Sequence, residues 1–369
     1  MKKLSILIST DCFLPRWDGI ARFLAELIPQ LKGYKVTVLC PMFAGKTPKY
    51  SGVKIIRLPL MQVNFGDIKF ARFQYWRIKE IVRQHDVIFN QTIGPIGICS
   101  ILAGKKLNKR VISYVHTIDW ELASHSVGKY KQLIHWSTRM IARWLYNKCS
   151  ALITSSKDME DILAQNKIKT HKIIIPLGIN TQRFKPANTE RAKKKLGIKP
   201  ELFAIGYHGR IAREKNLPTL VKAVERIHAA HDNVRLLIVG EGVKDEIPYE
   251  SWIIHAGKQD DVVPYLQAMD VYVLPSLTET SSLATMEAMS VGLAVVVTPV
   301  GSIHEYVKDE ENGLVFARQD VEGLIARLVR LMEDKQLRER LGKSARKTIL
   351  QKRQWKQTAK AIIKELKER

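Results

Sequence analysis

The sequence predicts an α/β protein built from two doubly wound parallel-sheet domains. Short β-rich apolar runs alternate with helical patterns in both halves of the chain, and strands separated by helices form parallel sheets. At 369 residues, two domains are the natural expectation. There is no internal repeat at a fixed period and no low-complexity tract to suggest another architecture.

In the first half the expected strands are Leu4–Ser9, Val36–Cys40, Val53–Leu58, Asp86–Asn90, Val111–His116, Ala151–Thr154 and Lys172–Ile175. Each is a bounded apolar run of strand length. The opening run stops at Asp11 with no small-residue cleavage site, so it reads as a strand and not as a signal peptide. In the second half the strands are expected at Leu202–Tyr207, Val234–Val239, Trp252–His255, Val271–Leu274 and Leu293–Val297. Helical periodicity marks Ile20–Leu31, Leu217–Ala229 and Val321–Leu331. The boundary is expected near Gly178–Pro186, before the charged stretch Thr189–Lys195, which gives domains 1–180 and 181–369. The last 30 residues are helical in composition, and Trp355 among them has the bulk to dock on either domain.

Composition narrows the function. At 46% hydrophobic the chain can fill two cores. Its four cysteines, Cys12, Cys40, Cys99 and Cys149, show no C-x-x-C spacing, which argues against a zinc site or a disulfide framework and for a reducing cytosol. No apolar run approaches membrane-spanning length. Net charge is +24 and uneven: residues 1–180 hold 28 Lys+Arg against 11 Asp+Glu. Such a surplus suits an anionic partner such as a membrane surface, a nucleic acid or an acidic polymer, and otherwise only keeps the surface solvated. No RNP, helix-turn-helix or zinc pattern supports nucleic acid, so none is expected as a partner.

The richest stretch is Glu279-Thr-Ser-Ser-Leu-Ala-Thr-Met-Glu287, directly after the buried-strand pattern Val271–Pro275. Glu279 is expected on the loop at the carboxyl end of a parallel strand, where open α/β sheets bind ligands. Glu287 is expected about two turns into the next helix. Ser281 and Ser282 can cap that helix and leave backbone N–H groups for an anion. A carboxylate for sugar hydroxyls, a helix start for phosphate and a second carboxylate for ribose suit a sugar nucleotide.

A second element, Tyr207-His-Gly209-Arg210-Ile-Ala-Arg-Glu214-Lys215, ends the first strand of the second domain. Glycine permits a tight turn, and Arg210 with Lys215 offers a planar fork and a mobile point charge for a diphosphate. Alone, the same residues also make an ordinary basic loop with a Glu214 ion pair. In the first domain, Thr10 to Phe23 carries Pro15, Asp18 and Gly19 at a strand-to-helix loop. Gly19 at the helix start can approach a phosphate, although no G-x-G-x-x-G fingerprint is present. His116 and Asp119 close the run Val111–Asp119. A strand-end histidine in a cleft can touch substrate, and Asp119 can orient it or face an acceptor.

These residues together resemble the retaining glycosyltransferases of family 4 (group 1, GT-B type). The match runs through Pro15 with Asp18-Gly19, His116, Pro176-Leu-Gly178-Ile-Asn180 before Phe184 and Pro186, Gly209-Arg210 with Glu214-Lys215, Asp270 with Pro275-Ser276, and Glu279 through Glu287-Ala288. It covers nearly the whole chain and extends in general similarity to glycolipid-synthesising members. The resemblance implies two Rossmann-like domains facing across a cleft, the first binding acceptor and the second binding a UDP- or GDP-sugar. It implies that Arg210 and Lys215 hold the diphosphate and stabilise its departure. Glu279 then contacts the transferred sugar, backbone near Ser282 and Leu283 holds phosphate, and Glu287 binds ribose. His116 lies beside the donor sugar, and Gly209 and Gly19 approach the phosphates. No Asp-x-Asp motif occurs, and no catalytic metal or other cofactor is expected, since two cationic side chains can serve the leaving group. The family often has glycine where this chain has Asp18 and Ser282, which bears on donor pose and acceptor identity. Asp18 and Asp119 are the acceptor-side candidates.

Two segments of the first domain mix aromatic and basic residues, Phe65–Gln84 and Lys129–Lys148. In the second, Lys131, His135, Arg139 and Arg143 recur every four residues beside Trp136, Met140 and Trp144, which places them on adjoining helical stripes. Aromatics next to a basic stripe suit the headgroup level of an anionic membrane. The competing expectation packs Trp136 and Trp144 into the core. A lipid or lipid-linked glycan acceptor, with the protein peripheral on the cytoplasmic face of the cell membrane, is the first expectation. The alternatives are a soluble glycan or small-molecule acceptor, or a nucleotide-sugar epimerase of similar architecture.

Overall fold

The computed structural model describes residues 3–16, 18–45, 49–65, 68–125, 130–243 and 246–368. Trp17, within the Thr10–Phe23 stretch, and Lys129, which opens the basic segment, lie outside the described residues, as does the side chain of Phe65. The chain divides into two compact units: Met1–Pro176 with Ala359–Arg369, and Leu177–Thr358.

The first unit holds a seven-stranded sheet in the order Val53–Leu58, Lys35–Pro41, Ser5–Ser9, Val87–Asn90, Arg110–Val115, Ala151–Thr154, Lys172–Ile174. Every neighbouring pair is parallel. The central strands are buried on both faces, which is why they read as continuous apolar runs and not as alternating ones. The chain reverses its direction of growth between Ser5–Ser9 and Val87–Asn90, so the topological switch point lies there. Part of the terminal helix Trp355–Lys367 belongs to this unit. Arg110 Nη1 donates to the Glu365 carbonyl at 2.7 Å, and the Lys367 ammonium lies 5.5 Å from the centre of the Tyr34 ring.

The second unit holds a six-stranded parallel sheet in the order Ile253–Gly257, Val234–Val239, Phe203–His208, Val271–Leu274, Ala294–Val297, Leu314–Val315. Its core joins Leu236, Val273 and Val296 of the sheet to Met286, Leu324 and Leu341 of the helices. Its switch point falls between Phe203–His208 and Val271–Leu274. The segment that enters this unit and the one that leaves it meet in a single parallel bridge: Ile179 N–H donates to the Arg353 carbonyl at 2.7 Å, and Trp355 N–H to the Ile179 carbonyl at 2.9 Å. That approach requires a glycine at 178, because a Cβ there would stand 2.4 Å from the Gln354 carbonyl carbon.

The α/β class with two parallel sheets is as the sequence predicts. Several elements were not anticipated, these among them. Leu60–Phe65 pairs antiparallel with Ile68–Ala71, the second of these strands falling inside the segment read only as aromatic and basic. Leu314–Val315 adds an edge strand two residues long. Pro95–Lys106 forms a helix whose buried residues surround it, so it lacks the amphipathic period that identifies a surface helix.

Candidate active site

The switch point of the second unit gathers the residues singled out in its sequence. Phe203–His208 delivers Gly209 and Arg210, and Val271–Leu274 delivers the loop that carries Glu279. Gly209 has φ +149°, and a Cβ on it would lie 2.9 Å from the Tyr207 hydroxyl. That hydroxyl donates to the Arg210 carbonyl at 2.8 Å and so fixes the turn. Across the neighbouring strand end, a Cβ at Gly240 would stand 1.9 Å from the Gly209 carbonyl oxygen. Gly240 packs against this turn, although it was not singled out in the sequence.

Lys215 Nζ donates to Glu279 Oε1 at 2.6 Å, and Ser276 Oγ donates to the same oxygen at 3.0 Å. The two ends of the site, 64 residues apart in sequence, thus meet in one ion pair. Arg210 reaches out to Glu214, and at 62% side-chain exposure it stays a solvated cation.

Ser282 is the N-cap of the helix Leu283–Ser290, and Thr285 N–H donates to its hydroxyl at 3.3 Å. Its φ of +25° is a strained value for a residue with a side chain. The helix carries no acidic residue in its first turn, so no carboxylate there offsets the positive end of its dipole. Ser281 turns away and bonds the Ser302 hydroxyl at 3.0 Å, while Ser302 N–H donates to the Thr280 carbonyl at 2.9 Å. These bonds clamp the loop from behind.

Because the helix begins at Leu283, Glu287 lies about one turn in, not two as expected. It is 1% exposed, and His208 Nε2 sits 2.8 Å from its Oε2. Asp270, one of the residues carrying the resemblance, stands at the opposite end of its strand. It accepts from Lys193 Nζ at 2.6 Å and from Ala204 N–H at 2.7 Å, a buried structural pair.

In the first unit, Asp18 is the N-cap of the helix Gly19–Leu27 and accepts from Ala21 N–H at 2.9 Å, with Arg16 Nε 3.4 Å away. A Cβ at Gly19 would meet nothing within 4 Å, so the packing of this unit does not itself demand a glycine there. His116 stacks on Tyr114 at 4.3 Å between ring centres and meets Phe23 edge-on at 4.9 Å. Burial lowers its pKa to about 3, so the imidazole is neutral at neutral pH. Gln91 Nε2 donates to the Phe89 carbonyl, leaving its Oε1 to accept from His116 Nε2 at 3.0 Å. That pattern puts the proton on Nε2 and makes Nδ1 an acceptor.

Of the two roles left open for Asp119, orienting His116 falls to Gln91. Asp119 instead accepts from the Tyr146 hydroxyl at 2.5 Å, and burial raises its pKa to about 6. Asp11 was also missed. It is buried at the switch point and accepts from Ile96 N–H at 3.0 Å, Gly97 N–H at 3.2 Å and Thr92 Oγ1 at 2.7 Å, which caps the helix Pro95–Lys106 from a distant strand end.

The basic segment forms the helix Lys131–Tyr146. Its buried face is Ala142, Leu145 and Tyr146. Trp136 and Trp144 are 55% and 53% exposed, so the core placement weighed for them does not hold. Leu133, Met140 and Ile141 are exposed with them. Lys131 is exposed, Arg139 and Arg143 are half-buried, and Lys148 Nζ lies 4.4 Å from the centre of the Trp144 ring. The helix Tyr75–Arg83 also exposes Trp76, with Lys79 over its ring. Among the described residues no helix is long and apolar enough to cross a membrane, and no group of three His, Cys, Asp or Glu side chains is placed to hold a metal.

A profile of Glycosyltransferase Family 4 matches residues 17–183, and one of Glycosyl transferases group 1 matches residues 203–334. The chain belongs to glycosyltransferase family 4. An alpha-monoglucosyldiacylglycerol synthase of Streptococcus pneumoniae is 25% identical over 342 residues, 87% of this chain and 77% of that protein. One of Acholeplasma laidlawii is 24% identical over 379 residues, 93% and 92% of the two chains. Anabaena HepE, solved in complex with UDP and glucose, shares the fold with a TM-score of 0.79 at 15% identity, each chain covered in full. The architecture is thus GT-B, and the protein is a glycosyltransferase. In this family 4 glycosyltransferase, Arg210, Lys215, Glu279, Ser282, Leu283 and Glu287 surround one switch point, while His116, Asp18, Gly19 and Asp119 belong to the other unit.

Proposed function

We propose that this glycosyltransferase moves a hexose, with retention of anomeric configuration, from a UDP- or GDP-sugar to a hydroxyl of a membrane lipid or lipid-linked glycan. The observation that carries the donor half of this reading is the Lys215–Glu279 ion pair at 2.6 Å, set between a glycine turn and a capped helix start. Breaking the anomeric bond puts negative charge on the leaving phosphate, and preorganised cations stabilise it. Lys215 is held by Glu279, yet an ammonium has three donors, so one bond does not exhaust it. Arg210, exposed and paired with Glu214, presents its planar guanidinium fork for phosphate. Glu279 suits hydroxyls of the transferred sugar, the Ser282–Leu283 helix start suits phosphate, and Glu287 suits ribose. These groups serve the leaving group without a metal. No carboxylate identified here is assigned as a nucleophile, so the reading is front-face attack, with the departing phosphate taking the acceptor proton. His116, neutral with Nδ1 as acceptor, supports the reaction by hydrogen bonding and not by charge.

The acceptor half rests on the exposed face of the helix Lys131–Tyr146. Aromatic side chains at the headgroup level and cations facing anionic lipid favour a surface position, with the protein peripheral on the cytoplasmic leaflet. Two relatives are named for making a glycosyldiacylglycerol, which points the same way. The test is a panel of radiolabelled UDP- and GDP-hexoses incubated with membrane lipid extract. Label in the organic phase that depends on Lys215 is expected. Label confined to water-soluble glycan would remove the lipid acceptor, and donor isomerisation without transfer would favour the epimerase alternative.

A further inference from the structure

Glu287 is 1% exposed, and a buried carboxylate requires hydrogen-bond donors. One comes from His208, the last residue of the strand Phe203–His208 and itself 8% exposed. Its Nε2 stands 2.8 Å from Glu287 Oε2. An ionised carboxylate only accepts, so Nε2 carries the proton whether the ring is neutral or charged. The next residue, Gly209, begins the turn that leads to Arg210, and Glu287 sits one turn beyond the Ser282 cap. This bond therefore fastens the carboxylate to the strand end from which the diphosphate-binding side chain projects.

We infer that His208 is a positioning residue for the nucleoside of the donor: it fixes the plane of the Glu287 carboxylate so that this group meets the ribose hydroxyls in register with the phosphates. The inference rests on the reading of Glu287 as the ribose contact. A carboxylate that pivots freely must be ordered on each binding event, which weakens recognition of a diol more than it weakens contact with a point charge. The bond-breaking step is remote, so the loss falls on binding and not on turnover.

The experiment titrates UDP and GDP, with their 2′-deoxy counterparts, into the full chain and measures transfer kinetics with the nucleotide that binds. His208→Val and His208→Asn remove the contact, since the asparagine amide is too short to reach. His208→Gln places an amide N–H near the position of Nε2. We expect the first two to weaken nucleotide binding about 10- to 100-fold, the range for a hydrogen bond to a charged group. They should also raise KM with kcat within about threefold and erase the preference for ribose over deoxyribose, while the glutamine variant restores it. A merely structural role would not move the ribose preference selectively. Wild-type preference in folded His208→Asn, alongside its loss in Glu287→Ala, overturns the inference and leaves the Glu287 reading standing. Wild-type preference in Glu287→Ala overturns both. If His208→Val fails to fold, the asparagine and glutamine pair decides the matter.

Discussion

Replacing Lys215 with alanine separates what the ion pair does for the fold from what it does for the reaction. The side chains of Lys215 and Glu279 retain 18% and 10% exposure. Removing one partner of a fully buried pair costs roughly 3–5 kcal/mol, because the other charge is left uncompensated. Here residual water access and the Ser276 hydroxyl on Glu279 Oε1 soften that, and about 2 kcal/mol of destabilisation is expected. The reaction loses a cation beside the leaving phosphate, which lowers turnover by about 100-fold or more. The double variant Lys215→Ala/Glu279→Ala carries no orphaned charge, so it should recover most of the stability while remaining inactive. Urea unfolding and initial rates of sugar transfer, run on the same preparations, read the two effects separately. Turnover within a few-fold of wild type in folded Lys215→Ala refutes the assignment. An equally unstable double variant refutes the reasoning about the orphaned charge.

Arg210→Ala should also lower turnover by about 100-fold but shift the unfolding midpoint little, because exposed pairs such as Arg210–Glu214 contribute under about 1 kcal/mol; the same two assays check this. Arg139→Glu with Arg143→Glu should weaken sedimentation with anionic vesicles by about 1 kcal/mol per basic residue lost near the surface, with donor affinity unchanged and wild-type binding falling as salt rises. His116 has its pKa lowered from 6.5 to about 3, so as pH falls below 6.5 the unfolded chain takes up a proton that the native protein refuses. Its contribution to stability is present above pH 6.5 and is lost towards pH 3, and His116→Gln should flatten that acid limb in denaturation curves. Asp119 works oppositely, since its pKa is raised from 3.8 to about 6. Its contribution is present below pH 3.8 and is lost as pH rises through about 6, so Asp119→Asn should gain relative stability above that window.

The two sheets were legible because doubly buried parallel strands are unbroken apolar runs, as Val271–Leu274 and Ala294–Val297 illustrate. Where that signal failed, the physics differed. Pro95–Lys106 is enclosed by apolar neighbours and has no polar stripe to reveal a helical period. Leu314–Val315 is too short to carry any pattern. The strand-end positions of Arg210 and Glu279 followed from which apolar runs precede them. Their partners did not follow, because Gln91 against His116 and His208 against Glu287 join residues 25 and 79 positions apart, and no local spacing encodes such contacts. The cap roles of Ser282 and Asp18 are local hydrogen bonds of the kind that sequence does encode. Only Ser282 was read that way. Asp18 is followed by a glycine and not by an apolar-periodic residue, which hides its cap role in the sequence. For Trp136 and Trp144, helical periodicity defined a stripe but not which side of it faced the sheet.

The measurement that tests the central claim most directly is the anomeric configuration of the product. Wild-type enzyme is incubated with the α-linked nucleotide hexose it uses and with lipid extract, and the purified organic-phase product is examined by proton NMR. An α-glycoside of a lipid hydroxyl is the predicted result. A β-glycoside would contradict front-face transfer with retention, and no organic-phase glycoside with any donor of the panel would contradict the lipid acceptor itself.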